Sequence, residues 1–211
     1  QHLNKMKSYH HGNLKQELID CACKLCERDG YTKLSIRSLA KESGVSQTAP
    51  YRHFDTKETL YAAVATEGFQ KLSKACHIDA DKKIMKKHLV EMGCNYIDFG
   101  LKSANTYDLM FGTAVGNFSE YPELLNAANS SYENFRSNFA KLANESDEVI
   151  AFKCITLWSM VHGLVGILRK VQVIGDDPLM DHEAGPMSSA ILIADNLEGY
   201  LDKALDGLIQ S

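Results

Sequence analysis

No apolar run in the 211 residues reaches the roughly 18 that a membrane-spanning helix needs. The longest, around 154–168 and 190–194, are interrupted by Ser, His and Asn, so no membrane span is expected. Residues 1–11 are polar and basic without an apolar centre, so no signal peptide is expected there and a cytoplasmic location is the expectation. Zinc-type spacing is also lacking. Cys23 and Cys26 form a lone Cys-x-x-Cys one helical turn apart, no second ligand pair follows, and the eight histidines are dispersed. Neither a metal nor a cofactor is expected. Cys21, Cys23 and Cys26 read as small apolar packing on the first helix, and Cys76, Cys94 and Cys154 as core. Thiol sensing stays open, although only Lys24 is placed to favour a thiolate. No alternating pattern suggests a strand, and no internal repeat is visible. No nucleophile with a paired acid and base appears, so an enzyme is not expected.

Helical periodicity is what remains, and residues 34–61 (LSIRSLAKESGVSQTAPYRHFDTKETLY) carry its most specific pattern. Ser35 is an N-cap ahead of Ile36, Leu39 and Ala40; with Ser38 at the third helical position, only half a capping box is expected. Gly44 supplies the positive φ that ends this helix, and Val45 anchors the turn. Ser46 or Thr48 would cap a second helix, with Pro50 in its first turn, where a missing N–H costs least. That helix is short and polar, leaving only Ala49 and Phe54 to pack inward. Thr56 caps the next helix, and Lys57 stands in its first turn, where the macrodipole disfavours a cation. A basic, hydroxyl- and aromatic-rich helix after a Gly turn suits a DNA groove, though many helix pairs of this kind bind nothing.

Charge sharpens the choice. The whole chain is at −4 with a pI near 6.1. Residues 1–57 hold 10 Lys and Arg against 6 Asp and Glu, a formal +4, whereas the remainder holds 13 against 21, a formal −8. A basic head on an acidic body is the electrostatic footprint of a nucleic-acid reader, or else simply a solvated face.

The stretch YHHGNL (9–14), a helix ending at Asp29-Gly30-Tyr31, and then LSIRSLAKESGVSQTAPYRHFDTKETL resemble the N-terminal domain of the tetracycline-repressor (TetR) family of bacterial transcriptional regulators. LWSMVHGL (157–164) is similar to the Trp-x-x-x-His-Gly signature of one C-terminal subgroup, with Trp158, His162 and Gly163 in place; ANTYDLMFG (104–112) is similar to a segment preceding it. The resemblance implies an all-α fold. A three-helix helix-turn-helix head (8–55) would be linked by a long helix to a helical ligand-binding and dimerisation bundle (56–211). It implies that Arg37 lies near phosphate or a base edge, that Ser46, Gln47, Thr48 and Ala49 face the major groove, that Tyr51, Arg52 and His53 reach backbone or bases, and that Lys57 meets a phosphate. The chemistry agrees in part: Gln47 can pair bidentately with adenine, and Thr48 or Ala49 can touch a thymine methyl. Tyr51 and Lys57 suit positioning better. Arg52 could reach DNA or pair with Asp55.

The body is expected to be helical at 56–78, 82–102, 107–113, 122–143, 148–173 and 187–209, with a Gly/Pro/Asp-rich loop at 175–186. Apolar stripes on the last two helices could be satisfied within one subunit or across a two-fold; the resemblance implies a homodimer through 148–173 and 187–209, and Gly163 and Gly166 permit close approach. Paired heads spaced about 34–36 Å, or a multiple of one helical turn, would read a palindrome. Met92, Tyr96, Phe99, Met110, Phe111, Phe135, Trp158 and His162 are either core or the wall of a cavity for a small hydrophobic effector. The expected function is a ligand-released, DNA-binding repressor; the rival is an all-α small-molecule-binding protein or enzyme without DNA function.

Overall fold

A computed structural model describes residues 13–79, 83–174 and 185–209. Most of YHHGNL and of the loop read at 175–186 lies outside the described residues. Among the described residues the fold is all-α, without strands. The helices are α1 (Leu14–Asp29), α2 (Ile36–Ser43), α3 (Lys57–Ala75), α4 (Lys86–Lys102), α5 (Ala104–Phe111), α6 (Pro122–Ala143), α7 (Asp147–Ile174), α8 (Gly185–Asp195) and α9 (Leu197–Ile209).

The helix ends follow local chemistry closely. The Ser35 hydroxyl accepts from Ser38 N–H at 3.0 Å, and the Ser38 hydroxyl accepts from Ser35 N–H at 2.9 Å. The capping box expected to be half formed is therefore complete, because a serine hydroxyl is long enough to return the bond. Gly44, at φ 68° and ψ 23°, ends α2 in the left-handed region. Val45 N–H then bonds Ala40 C=O at 3.2 Å and Gly44 N–H bonds Lys41 C=O at 3.3 Å, a Schellman pattern. Thr56 and Thr59 form the same reciprocal box at the start of α3.

Three expected elements differ, and the first is the short helix expected at 107–113, which runs from Ala104 to Phe111. The second helix of the turn motif is only a 3-10 turn, Pro50–Arg52. Pro50 has no N–H to donate to Ser46, so the ladder runs on shorter bonds such as Ala49 N–H to Ser46 C=O at 3.1 Å. Its N-cap position is Ala49, with no side-chain cap, so neither Ser46 nor Thr48 serves as one. The single helix expected at 187–209 breaks at Asn196, whose Oδ1 accepts from Gly199 N–H at 3.1 Å and starts α9 afresh.

One continuous core joins head and body. Leu18, Leu39, Phe54 and Leu60 are almost fully buried at the head, and Ile97, Leu109, Leu124, Phe139 and Val165 in the body. Helix α3 leaves the head and runs on through the body, packing against α5 and α6. Helix α5 sits where α1, α3 and α4 converge. Its first turn is capped from the head: Glu27 Oε2 accepts from Thr106 N–H at 3.1 Å and from the Thr106 hydroxyl at 2.9 Å. Arg169 of α7 braces the same region, donating to Gly100 C=O at 2.7 Å, Ala104 C=O at 3.1 Å and Asp108 Oδ1 at 2.6 Å.

Helix α7 has two apolar faces. Cys154, Leu157, Leu164, Val165 and Leu168 are buried, while Phe152, Ile155, Ile167 and Val173 are exposed. By length and composition it is the one helix among the described residues long and apolar enough to cross a membrane, a property that the interrupted apolar run concealed.

Candidate nucleic-acid interface and internal cavity

Phe54 and Pro50, both buried, pin the segment after Gly44 to the head, so the side chains between them turn outward. Ser46, Gln47, Thr48, Tyr51, Arg52 and His53 are exposed, Ala49 is half-buried, and Arg37 on α2 is exposed. The Ser46 and Thr48 hydroxyls stand 3.4 Å apart. Among the described residues no ion pair holds Arg37 or Arg52, and Arg52 is not bonded to Asp55. Lys57 is exposed in the first turn of α3; its ammonium reaches Thr32 C=O at 3.5 Å and lies 5.0 Å from the centre of the Tyr61 ring. The carbonyl and the ring face offset the unfavourable macrodipole there, yet they leave the ammonium open to solvent. Of the nine residues singled out in the sequence, eight are exposed and Ala49 is half-buried.

A cavity of about 540 Å³ lies in the body between α3, α4, α5, α6, α7 and α9. Met92, Tyr96, Met110, Phe111, Phe135 and Trp158 line it. Phe99 and His162 do not: Phe99 is buried elsewhere in the core, and His162 stands behind the wall. Phe69, Leu72, Cys76, Leu89, Phe118, Tyr132, Leu201 and Leu205 also line it and were not anticipated, because their helices show only ordinary core stripes in sequence. Among the described residues the lining holds no charged side chain; Asn129 and Ser131 are polar and lie toward the solvent side.

A hydrogen-bonded cluster backs the cavity. Trp158 Nε1–H donates to the Tyr96 hydroxyl at 3.1 Å, which lies 3.1 Å from the Tyr107 hydroxyl. His162 Nδ1 is hydrogen-bonded to the Tyr107 hydroxyl at 2.6 Å and lies 3.1 Å from that of Tyr96. Burial, then the charge of Arg169, lowers the His162 pKa, so the ring is uncharged at neutral pH. Burial raises the pKa of Tyr96 and Tyr107, which keeps both as hydroxyls. Tyr107 also stacks on His162 with ring centres 5.4 Å apart. The segments ANTYDLMFG and LWSMVHGL thus meet in one cluster. The cysteines behave as packing: burial pushes Cys23 and Cys154 up to about 11, and Cys26 and Cys76 up to about 12. Among the described residues no group of three or more His, Cys, Asp or Glu is arranged to hold a metal ion.

Residues 18–64 match the family model of bacterial regulatory proteins, tetR family, and residues 89–182 match that of the tetracyclin repressor-like C-terminal domain. The chain carries both domains of a tetR-family transcriptional regulator. Solved structures share the fold over most of its length. A protein of unknown function from Rhodococcus sp. RHA1 is 21% identical over 94% of this chain and 98% of its own, with a TM-score of 0.67. The TetR family transcriptional regulator PfmR from Thermus thermophilus is 17% identical over 92% and 97%, at 0.55. BioQ, solved with its double-stranded DNA operator, is 20% identical over 93% and 98%, at 0.59. No curated protein sequence matches the chain.

Proposed function

We propose that this chain is a ligand-released repressor that binds a palindromic operator as a homodimer, its head spanning about residues 8–55 and its effector and dimerisation body 56–211. The exposure of Gln47, Thr48, Tyr51, Arg52 and His53, with Arg37 and Lys57 exposed on the same head, is the observation that carries the DNA reading. Gln47 and Thr48 have the chemistry for base edges; Arg37, Tyr51, Arg52, His53 and Lys57 have the chemistry for the sugar-phosphate backbone. BioQ, of the same fold, is solved on an operator.

One short recognition turn reads few base pairs, so two heads are required. The exposed apolar face of α7, with Phe152, Ile155 and Ile167, and Leu192 of α8 supply the surface for a second copy. Gly163 and Gly166 have open space beside them, so two backbones can approach closely there.

The effector occupies the 540 Å³ cavity. An uncharged ligand suits it best. A carboxylate would find no cation among the described lining, and a buried ammonium would recover only about 0.5–2 kcal/mol from aromatic faces against a desolvation cost of several kcal/mol. The aromatic cluster of Tyr96, Tyr107, Trp158 and His162 supports placing the body in the Trp-x-x-x-His-Gly subgroup. Binding in the cavity favours a body shape in which α3 moves and the heads separate, which requires unequal affinity for the two shapes.

Selection of bound duplexes from a random pool tests the reading. A palindrome with half-sites one helical turn or a multiple apart is expected. Recovery of no enriched sequence, or of a single asymmetric half-site, overturns it.

A further inference from the structure

We propose that Glu27 is the positioning residue through which the head and the cavity sense one another, by holding the first turn of α5. The inference rests on the reading of the head as a DNA reader and of the cavity as the effector site.

Glu27 lies in the last turn of α1 and is half-buried against the body. Its carboxylate takes three bonds from α5: Thr106 N–H at 3.1 Å, the Thr106 hydroxyl at 2.9 Å and Asn105 N–H at 3.4 Å. Its backbone C=O accepts a fourth, from Asn105 Nδ2 at 2.8 Å. A carboxylate at a helix N-terminus satisfies orphan N–H groups and complements the macrodipole. What is particular here is where the cap comes from. Ser103, in the N-cap position, makes no side-chain capping bond, so α5 depends on the head for its first turn.

The other end of the same helix is cavity wall. Met110 and Phe111 line the cavity, and Tyr107 holds the Tyr96–His162 cluster behind it. Helix α3 closes off one direction of escape: a Cβ at Gly68 would lie 2.5 Å from Met110 Sδ and 3.0 Å from Thr106 Cγ2. A ligand that presses on Met110 and Phe111 must therefore move this eight-residue helix as a body, away from α3. A displacement of about 1 Å carries the Glu27 contacts beyond useful hydrogen-bond range. The head is then released from the body at α1, separately from any motion of α3 itself.

Trp158 is the sole tryptophan and lines the cavity, so its emission reports the cavity without any ligand. Coupling is reciprocal, so duplex bound at the head must change the cavity if Glu27 connects them. The probe is the fluorescently labelled palindrome recovered by selection, with binding followed by anisotropy and Trp158 emission read in parallel. In the wild type, saturation with duplex is expected to shift Trp158 emission. In Glu27→Ala, duplex still binds but the shift is lost. Thr106→Val keeps the backbone bond and removes the hydroxyl one, so an intermediate shift is expected; it decides the matter if Glu27→Ala does not fold. A wild-type complex with unaltered emission, or variants whose shift equals the wild type's, overturns the role of Glu27 alone. Absence of any duplex binding by anisotropy overturns the DNA reading, and the coupling with it.

Discussion

Lys57 and Gln47 both stand at the exposed head surface, but their chemistry divides their work. An ammonium meets any phosphate, whereas an amide pairs with one base edge. Lys57→Ala is expected to weaken binding to selected and random duplexes alike and to lower the salt slope by about one unit. Gln47→Ala should relax preference at a single base pair per half-site, at a cost of about 1–3 kcal/mol against the preferred base. Titrations at several salt concentrations on both duplexes separate the two. His162 carries a pH signature. Its folded pKa lies below the ordinary imidazole value, so the unfolded chain holds the proton more tightly. The stability it contributes is complete above about pH 6.5 and is lost as pH falls from there toward the folded value. Thermal melts from about pH 7.5 to 5.5 should drop less steeply in His162→Gln than in the wild type. Equal slopes would show that the ring is not held neutral. The sequence offered two roles for His162, ligand contact or core. It lies behind the wall, hydrogen-bonded through Nδ1 to Tyr107.

At the scale of elements, close packing decides more than propensity does. Helices α4 and α7 cross at Gly100, where a Cβ would lie 2.7 Å from both γ-methyls of Val165 and 3.2 Å from the Tyr107 ring. Valine has few rotamers to yield with, and Val165 is almost fully buried. Gly100→Ala is therefore expected to destabilise by about 1–3 kcal/mol, measured by urea unfolding, despite alanine's better helix propensity. A stabilised variant would refute the crossing. The helices themselves were legible: α6 begins and ends at the residues its periodicity indicated, with Pro122 opening it. Other boundaries were not, α5 beginning at Ala104 rather than at Tyr107. The break at Asn196 is one polar residue in a continuous apolar stripe, and the 3-10 turn at Pro50–Arg52 arises from a single missing N–H. Periodicity averages over such points and passes across them.

At the scale of the whole molecule, the apolar outer face of α7 is the feature that one subunit leaves unfinished. Phe152 is 65% exposed and Leu192 71%. Soluble monomers rarely leave large contiguous apolar patches open, and the proposed homodimer would cover this face. The double variant Phe152→Glu/Leu192→Glu is expected to sediment as a monomer where the wild type sediments as a dimer. It should also lose tight binding to the palindrome while keeping weak binding to a half-site. A variant that stays dimeric would place the interface elsewhere. On the proposed dimer, the apolarity that gives α7 the look of a membrane span has the same explanation, one face being core and the other interface.

By itself the sequence determined the helical class, the capped turn from Ser35 to Thr56 and the contrast between basic head and acidic body, because caps, glycine turns and charge act over a few residues. Which aromatic side chains surround a cavity and which stand behind it was decided only by the tertiary structure. So were the link from Glu27 to α5 and the ring cluster of Tyr96, Tyr107, Trp158 and His162. Those arrangements join residues about 50 to 80 positions apart. They depend on how helix surfaces interlock in three dimensions, and a periodic apolar stripe looks the same whether it faces a neighbour or an empty space.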